Sequence, residues 1–193
     1  MLRRTAEDGL TLVELLVSIT VLGLLLGAVA SVTFVAVGTA SGADVRLRES
    51  GDLLLAATYF GDDVAAATSV AVGTTPRCGT DPAAAVELVG QDFSDDSSYT
   101  ISTTVVSYVV RTVTVPAGTT RRLHRLACTA ATTTPAYPLT PVTDVPVVRR
   151  LSATAPAVSC GSAGCAAFTQ VELTLREQSG DLTYTLSGRR RTS

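Results

Sequence analysis

The stretch GLTLVELLVSITVLGLLLGAVASVTFVAV, residues 9–37, decides how the rest of the chain is read. From Leu15 to Val37 it runs 23 residues without a charge, and about 20 apolar residues suffice to cross a bilayer core. It is rich in Val, Leu and Ala and free of Pro, so in lipid it satisfies its backbone as a helix. Arg3 and Arg4 precede it, and the positive-inside tendency predicts a cytoplasmic N-terminus and an exported remainder. The following flank, with Asp44, Arg46, Arg48, Glu49 and Asp52, is mixed and does not oppose that orientation. Gly23 and Gly27 form a GxxxG pair, which reads either as close helix packing or as the ordinary glycine content of membrane helices.

Glu14 is out of place at the front of this run. A carboxylate near a membrane is costly and tends to have a partner, although a Glu in a first helical turn also complements the helix dipole. The neighbouring residues separate the two readings. Gly9-Leu10-Thr11-Leu12-Val13-Glu14-Leu15-Leu16, behind the short leader MLRRTAEDG, resembles the processing motif of type IV pilins and of type II secretion pseudopilins. The resemblance implies a cut between Gly9 and Leu10 by a prepilin peptidase/methyltransferase, with N-methylation of Leu10. It also makes Glu14 the fifth residue of the processed chain, the family's position for the acid. The first processed residue is Leu10 where the family usually has Phe, and Glu7 and Asp8 offset the two leader arginines. A competing reading takes Ala28-Val29-Ala30 as a signal-peptidase site releasing the chain at Ser31. Against it, the apolar run continues to Val37 and Glu14 interrupts the front of the segment.

The physical logic of the motif is assembly. Cleavage would place an α-ammonium at Leu10 in apolar surroundings, where Glu14 of a neighbouring subunit can neutralise it. Desolvation offsets much of that attraction, so the pair serves register more than affinity. The implied partners are the peptidase, other pilin or pseudopilin subunits, an inner-membrane assembly platform and the membrane itself. The implied location is the cytoplasmic (inner) membrane, single-pass with an extracytoplasmic head, and then a surface filament.

The remaining composition is compatible with one exported domain. The chain has 193 residues and a net charge of −2, with 15 basic residues, all Arg. That balance gives no general reason to expect nucleic acid or an acidic substrate. Removing the apolar segment leaves roughly 125–150 residues, enough for one core. Cys78, Cys128, Cys160 and Cys165 all follow the apolar segment, and an even count on an exported side reads as two disulfides with three possible connectivities. The short Gly-Ser-Ala-Gly-type spacer favours Cys160 with Cys165, leaving Cys78 with Cys128. A four-thiolate zinc site is the alternative, and neither local pair has zinc-knuckle spacing.

The expected organisation is a cleaved leader (1–9), a transmembrane and assembly half of a long helix (10–43) and a globular head (44–193). In the head, residues 44–72 form the second half of the helix and 84–188 a β-rich sheet. Leu53, Ala57, Phe60, Val64 and Ala67 fall at helical spacing, with Arg48, Asp52, Asp62 and Asp63 largely elsewhere on the wheel. One long helix is expected, interrupted or bent near Gly38, Gly42 and Gly51, and Gly73-Thr74-Thr75-Pro76 ends it. Beyond it, 84–89 and 99–115 read as strands, and Pro116-Ala117-Gly118-Thr119 turns into a pairing strand over 120–128. The segments 168–176 and 182–187 form a second pair, and the proline-bearing stretch 129–146 is a surface connection. The fold class is α+β, pilin-like, a long N-terminal helix packed on an antiparallel sheet. Within the resemblance the helix RESGDLLLAATYFGDD, the strand VSYVVR and the pair Leu123 and Arg125 look most like a J-type minor pseudopilin.

Elsewhere the sequence points to structure rather than chemistry. His124, alone and between Leu123 and Arg125, reads as a surface residue. Asp92, Asp95 and Asp96 among serines are calcium candidates without an EF-hand pattern, and read as a solvated turn. Arg189, Arg190 and Arg191, with Arg149 and Arg150, offer a basic patch for DNA, yet no aromatics interleave with them and a solvated tail is the simpler account. No Ser-His-Asp order, phosphate loop or metal cluster stands out, so the chain is expected to be a structural subunit of a type IV pilus-like or type II secretion-like filament, not an enzyme. The alternatives are a pilus-tip module that binds DNA or a surface, and an anchored exported protein that does not assemble.

Overall fold

The computed structural model describes residues 11–93, 101–116, 118–162, 164–178 and 182–191, with the side chains of 35–49 and 93 outside that description. Two compact units divide the chain, Met1–Arg48 and Glu49–Ser193. Helix α1, Leu12–Ala66, contributes to both. The expected single long helix is present, and of the interruption or bend expected near Gly38, Gly42 and Gly51 the interruption does not occur, since helical hydrogen bonding runs through all three. A lone helical glycine costs only about 1 kcal/mol relative to alanine, and the Val, Ala and Leu around these three carry the helix through.

In the first unit, Leu12–Phe34 is a 23-residue span of mean hydropathy 2.5, long and apolar enough to cross a membrane. At 1.5 Å per residue it extends about 34 Å, against a hydrocarbon core of about 30 Å. Its hydroxyls are satisfied within the helix. Ser18 donates to the Glu14 carbonyl (2.7 Å), Ser31 to Ala28 (2.8 Å) and Thr33 to Val29 (2.8 Å). Thr20 shares its hydroxyl between the carbonyls of Leu16 and Val17. The span therefore offers lipid no unpaired hydroxyl donor among these residues.

The second unit is the α+β head. A five-stranded antiparallel sheet has the order β1 (Ala67–Val72), β2 (Ala84–Phe93), β3 (Ile101–Val115), β4 (Gly118–Ala130) and β5 (Thr143–Leu151). A three-stranded sheet follows, β6 (Ala157–Ser159), β7 (Gln170–Arg176) and β8 (Thr183–Arg189). The period of two sorts β3 onto two faces. Val106 and Tyr108 join Phe60, Val64, Leu123 and Leu173 in the core beneath the helix. Val105 and Val109 join Cys78, Leu126, Cys128 and Leu139 in a second core on the opposite face. The first core holds residues of the helix and of both sheets; the second is roofed by loops.

The helix stops at Ala66, and residues 67–72, expected to be its last turns, are instead strand β1. The sequence ATSVAV places Thr68, Val70 and Val72 at alternate positions, which suits a pleated strand better than a helix. Five residues of β1 pair with β2, across a register shift between Ala67 and Ser69, and Thr68 Oγ1 donates to the Val89 carbonyl at 2.9 Å. The buried helix face is Ala56, Phe60 and Val64, whereas Ala57, expected on it, is exposed. The strand expected over 84–89 extends to Phe93, and β5 and β6 occupy segments not read as strands.

Strand β8 reaches the helix at Gly188, where a Cβ would lie 2.5 Å from Val64 Cβ and 3.1 Å from the Phe60 carbonyl oxygen. No flexible side-chain tip can give way there, because the obstructing atoms are a branched Cβ and backbone. Gly188→Ala is expected to destabilise the head by about 1–3 kcal/mol through overpacking, read as a lower urea midpoint with an unchanged m-value.

Candidate functional site

Thr11 opens α1 as its cap. Its Oγ1 accepts from the Glu14 amide (3.3 Å) and its carbonyl from the Leu15 amide (3.1 Å). Thr11-Leu12-Val13-Glu14 thus has the spacing of a capping box, which fixes where the helix begins and sets Glu14 in its first turn. Glu14 is exposed at the front of the apolar span, and among the described residues its carboxylate has no partner within the chain. Gly9 and Leu10 lie outside the described residues. The geometry is that of a carboxyl group held in the first turn of an apolar helix, exposed and open to a partner from elsewhere.

The head carries polar clusters that the sequence reading passed over. On the helix side, Asp63 receives Arg125 Nε (2.7 Å) and Nη2 (2.6 Å) together with the Tyr108 hydroxyl (2.6 Å). Arg125 also lies over the Tyr59 ring, 5.0 Å from its centroid, and Tyr108 meets Phe60 edge-on at 5.3 Å. The hydrogen bonds that Arg125 donates to Asp63 raise the Arg125 pKa further. Burial, then the Asp63 charge, pushes the Tyr108 phenol well above its ordinary range and holds it as a donor. Asp63 therefore faces the sheet, against the expectation that the helix carboxylates lie elsewhere. The alternation of β4 carries the missed signal: Arg125 falls between Leu123 and Ala127 on one face, and a cation between core residues calls for an acid.

On the opposite face, Arg111 grips Asp81 with two bonds of 2.7 Å and also binds Asp144. His124 is not a surface residue; its side chain is 14% exposed, with Nδ1 2.7 Å from Asp144 Oδ1. A carboxylate only accepts, so that nitrogen carries the proton. Burial acts to raise the Asp144 pKa, and the bonds from Arg111 and His124 outweigh it, leaving the group lowered. Glu87, fully buried, accepts from the Arg77 amide (2.6 Å) and the Ser107 hydroxyl (3.0 Å). These clusters tie loop 73–83 to β2 and β3, and cross-link β5 to β3 and β4.

The two disulfides join Cys78 to Cys128 and Cys160 to Cys165. Arg189 to Arg191 are not simply a solvated tail: Arg190 lies over the Phe168 ring at 5.5 Å, and the Arg191 amide donates to the Ala65 carbonyl. Arg149 pairs with Asp52 at 3.2 Å. Asp92 lies near the end of β2, and Asp95 and Asp96 lie outside the described residues. Among the described residues no three His, Cys, Asp or Glu side chains gather as a metal site.

An apolar helix long enough to cross a membrane, its leading carboxylate without a partner among the described residues, followed by an antiparallel sheet, is a pilin-like α+β arrangement. Residues 4–30 match the prokaryotic N-terminal methylation motif. That match supports the type IV pilin and pseudopilin family, whose motif marks structural subunits processed by prepilin peptidase and assembled with other pilin subunits. Neither the curated proteins nor the solved structures gave a match to the chain.

Proposed function

We propose that this chain is a minor pilin or pseudopilin of a type IV pilus-like or type II secretion-like filament, cut between Gly9 and Leu10 and assembled through its N-terminal helix. Residues 10–43 serve as the transmembrane and assembly segment, with the N-terminus cytoplasmic. Residues 44–193 form the exported head, which moves from the cytoplasmic membrane to the filament. The observation that carries the reading is Glu14, capped into the first helical turn at the entry of a 23-residue apolar span, without a partner of its own among the described residues. A neighbour's Leu10 ammonium is the cation that processing would create at that depth. The disulfide-stapled head supports export, because such bonds persist in oxidising compartments.

Glu14→Ala tests the assembly role. The variant is expected to be made, processed and retained in the membrane at wild-type level, while its recovery in sheared filaments falls at least tenfold. Wild-type recovery in filaments would refute the role of the carboxylate in register. Intact mass of the membrane-extracted chain tests processing: a start at Leu10 with one added methyl is expected, and a start at Ser31 would instead identify a secreted head.

A further inference from the structure

The two edges of the five-stranded sheet, β1 and β5, are finished differently. An edge strand presents a row of unpaired amides and carbonyls, which folded proteins ordinarily blunt with charge, proline, bulges or a cover. Strand β5 carries Asp144, Arg149 and Arg150, contains Pro146, and pairs with β4 through register shifts. Strand β1 reads ATSVAV and has neither charge nor proline. Its one irregularity lies at its start, between Ala67 and Ser69, and from there to Val72 it pairs regularly with β2. The alternation of the ladder fixes which groups are left over. The Gly73 amide turns inward to the Ala85 carbonyl, so Ala71 and Ser69 turn the same way, and Val70 and Val72 turn their amides and carbonyls outward. Among the described residues no backbone hydrogen bond reaches Val70 or Val72 from the open side. Val72 is also 41% exposed.

We propose that the open edge of β1 pairs with β1 of a second copy of this chain, antiparallel about a two-fold axis through Ala71, while both copies are held in the membrane. A two-fold contact uses the same patch on both chains, so the patch must complement itself. Strand β1 does so: Val70 of each copy lies opposite Val72 of the other, and their outward amides and carbonyls satisfy one another. No charge on β1 meets its like across the axis, whereas β5 offers a second copy its arginines, its proline and a shifted register. A six-residue strand covers less than the roughly 800 Å² per partner of a standard stable interface, so the seam needs help from elsewhere. Anchoring both chains in one membrane supplies it, because tethering raises the effective concentration for a second contact. The pairing therefore belongs to the membrane-held chain and is lost on dilution in detergent.

The proposal rests on the chain being membrane-anchored, and one experiment scores the two separately. Full-length chain carrying Ala71→Cys is reconstituted at high density into phosphatidylcholine vesicles, floated to verify insertion, and oxidised mildly. The native cysteines are all in disulfides, so the introduced thiol is the one that reacts. Residues directly opposed in a non-hydrogen-bonded antiparallel pair lie about 4.5 Å apart at Cα, within disulfide reach, and a covalent dimer is expected. Adding Val70→Pro removes one outward amide and leaves the bonds to β2 in place, as proline on an edge strand does. The dimer is then lost while the urea midpoint of the head is kept. An inserted Ala71→Cys chain that stays monomeric overturns the pairing and leaves the anchor standing, and so does a dimer that survives Val70→Pro. A chain that does not float with the vesicles overturns both. The wild-type chain answers without any substitution: its Val70 and Val72 amides should exchange hydrogen more slowly in crowded vesicles than in dilute ones, and equal rates would overturn the pairing.

Discussion

Replacing Asp63 with alanine is expected to destabilise the head by about 3–5 kcal/mol, the cost of leaving a buried charge without its partner. Three donors converge on this carboxylate, two from Arg125 and one from the Tyr108 hydroxyl. The pair is largely withdrawn from water, with side-chain exposures of 16% for Arg125 and 9% for Asp63. The contact also links α1 to both β3 and β4, so its loss weakens the polar part of the helix–sheet seam while the apolar packing of Phe60 and Val64 remains. Asp63→Asn keeps the shape and removes the charge, and it should cost less than the alanine variant while still losing stability. Adding Arg125→Met to Asp63→Leu should recover much of the loss, because an apolar pair of similar volume avoids desolvation altogether. Urea unfolding of the detergent-solubilised full chain, followed by tyrosine near-ultraviolet circular dichroism, gives the comparison. An Asp63→Ala midpoint equal to wild type would show that the triad contributes packing only.

Removing the Cys78–Cys128 disulfide by a double serine substitution is expected to cost about 4 kcal/mol, from the chain entropy of a loop of this length. The bond joins residues 50 apart and pins the loop layer over the second core. The Cys160–Cys165 bond closes a sequence separation of only 5, and the same reasoning assigns its loss a smaller penalty. The order of the two effects is the test: the Cys78 and Cys128 variant should unfold at the lower urea concentration. It should also open the connection between β4 and β5 to proteolysis before the rest of the head, since Leu139 bonds to Arg77 and Gly79 on either side of Cys78.

The parts legible in the sequence are those whose signal is local. The apolar run and its acid stand out because lipid imposes a long, uncharged segment. The pairs β3 with β4 and β7 with β8 stand out because turn residues separate β-branched runs. Other elements were hidden by compensation between distant residues. The strand Ala67–Val72 continues an alanine-rich stretch that reads as helix, and only its pairing with β2 makes it a strand. Strand β5 contains Pro146, which argues against a central strand; it lies at the edge of the sheet, beside a register shift, where a missing amide is tolerated. Asp63 was placed with the outward carboxylates because a helical wheel cannot know that an arginine waits opposite. His124 likewise gained its environment from Arg111 and Asp144, which are neighbours only across the sheet.

The contact of Gly188 with Phe60 and Val64 has a kinetic meaning. Residues near 60 and near 188 are separated by almost the whole head, so the core under the helix closes through one of the chain's longest-range contacts. Closing such a loop is an entropic barrier that shorter pairings, such as the β3–β4 hairpin, do not face. The helix's apolar face is complete only with β8 in place, where the Arg191 amide also bonds back to Ala65. A head in which β8 has not yet docked leaves the Gly188-facing side of Val64 and the last helical turns uncovered, even with Phe60 already on Tyr108. That interval is when the head is most open to wrong partners, and a slow final strand would lengthen it.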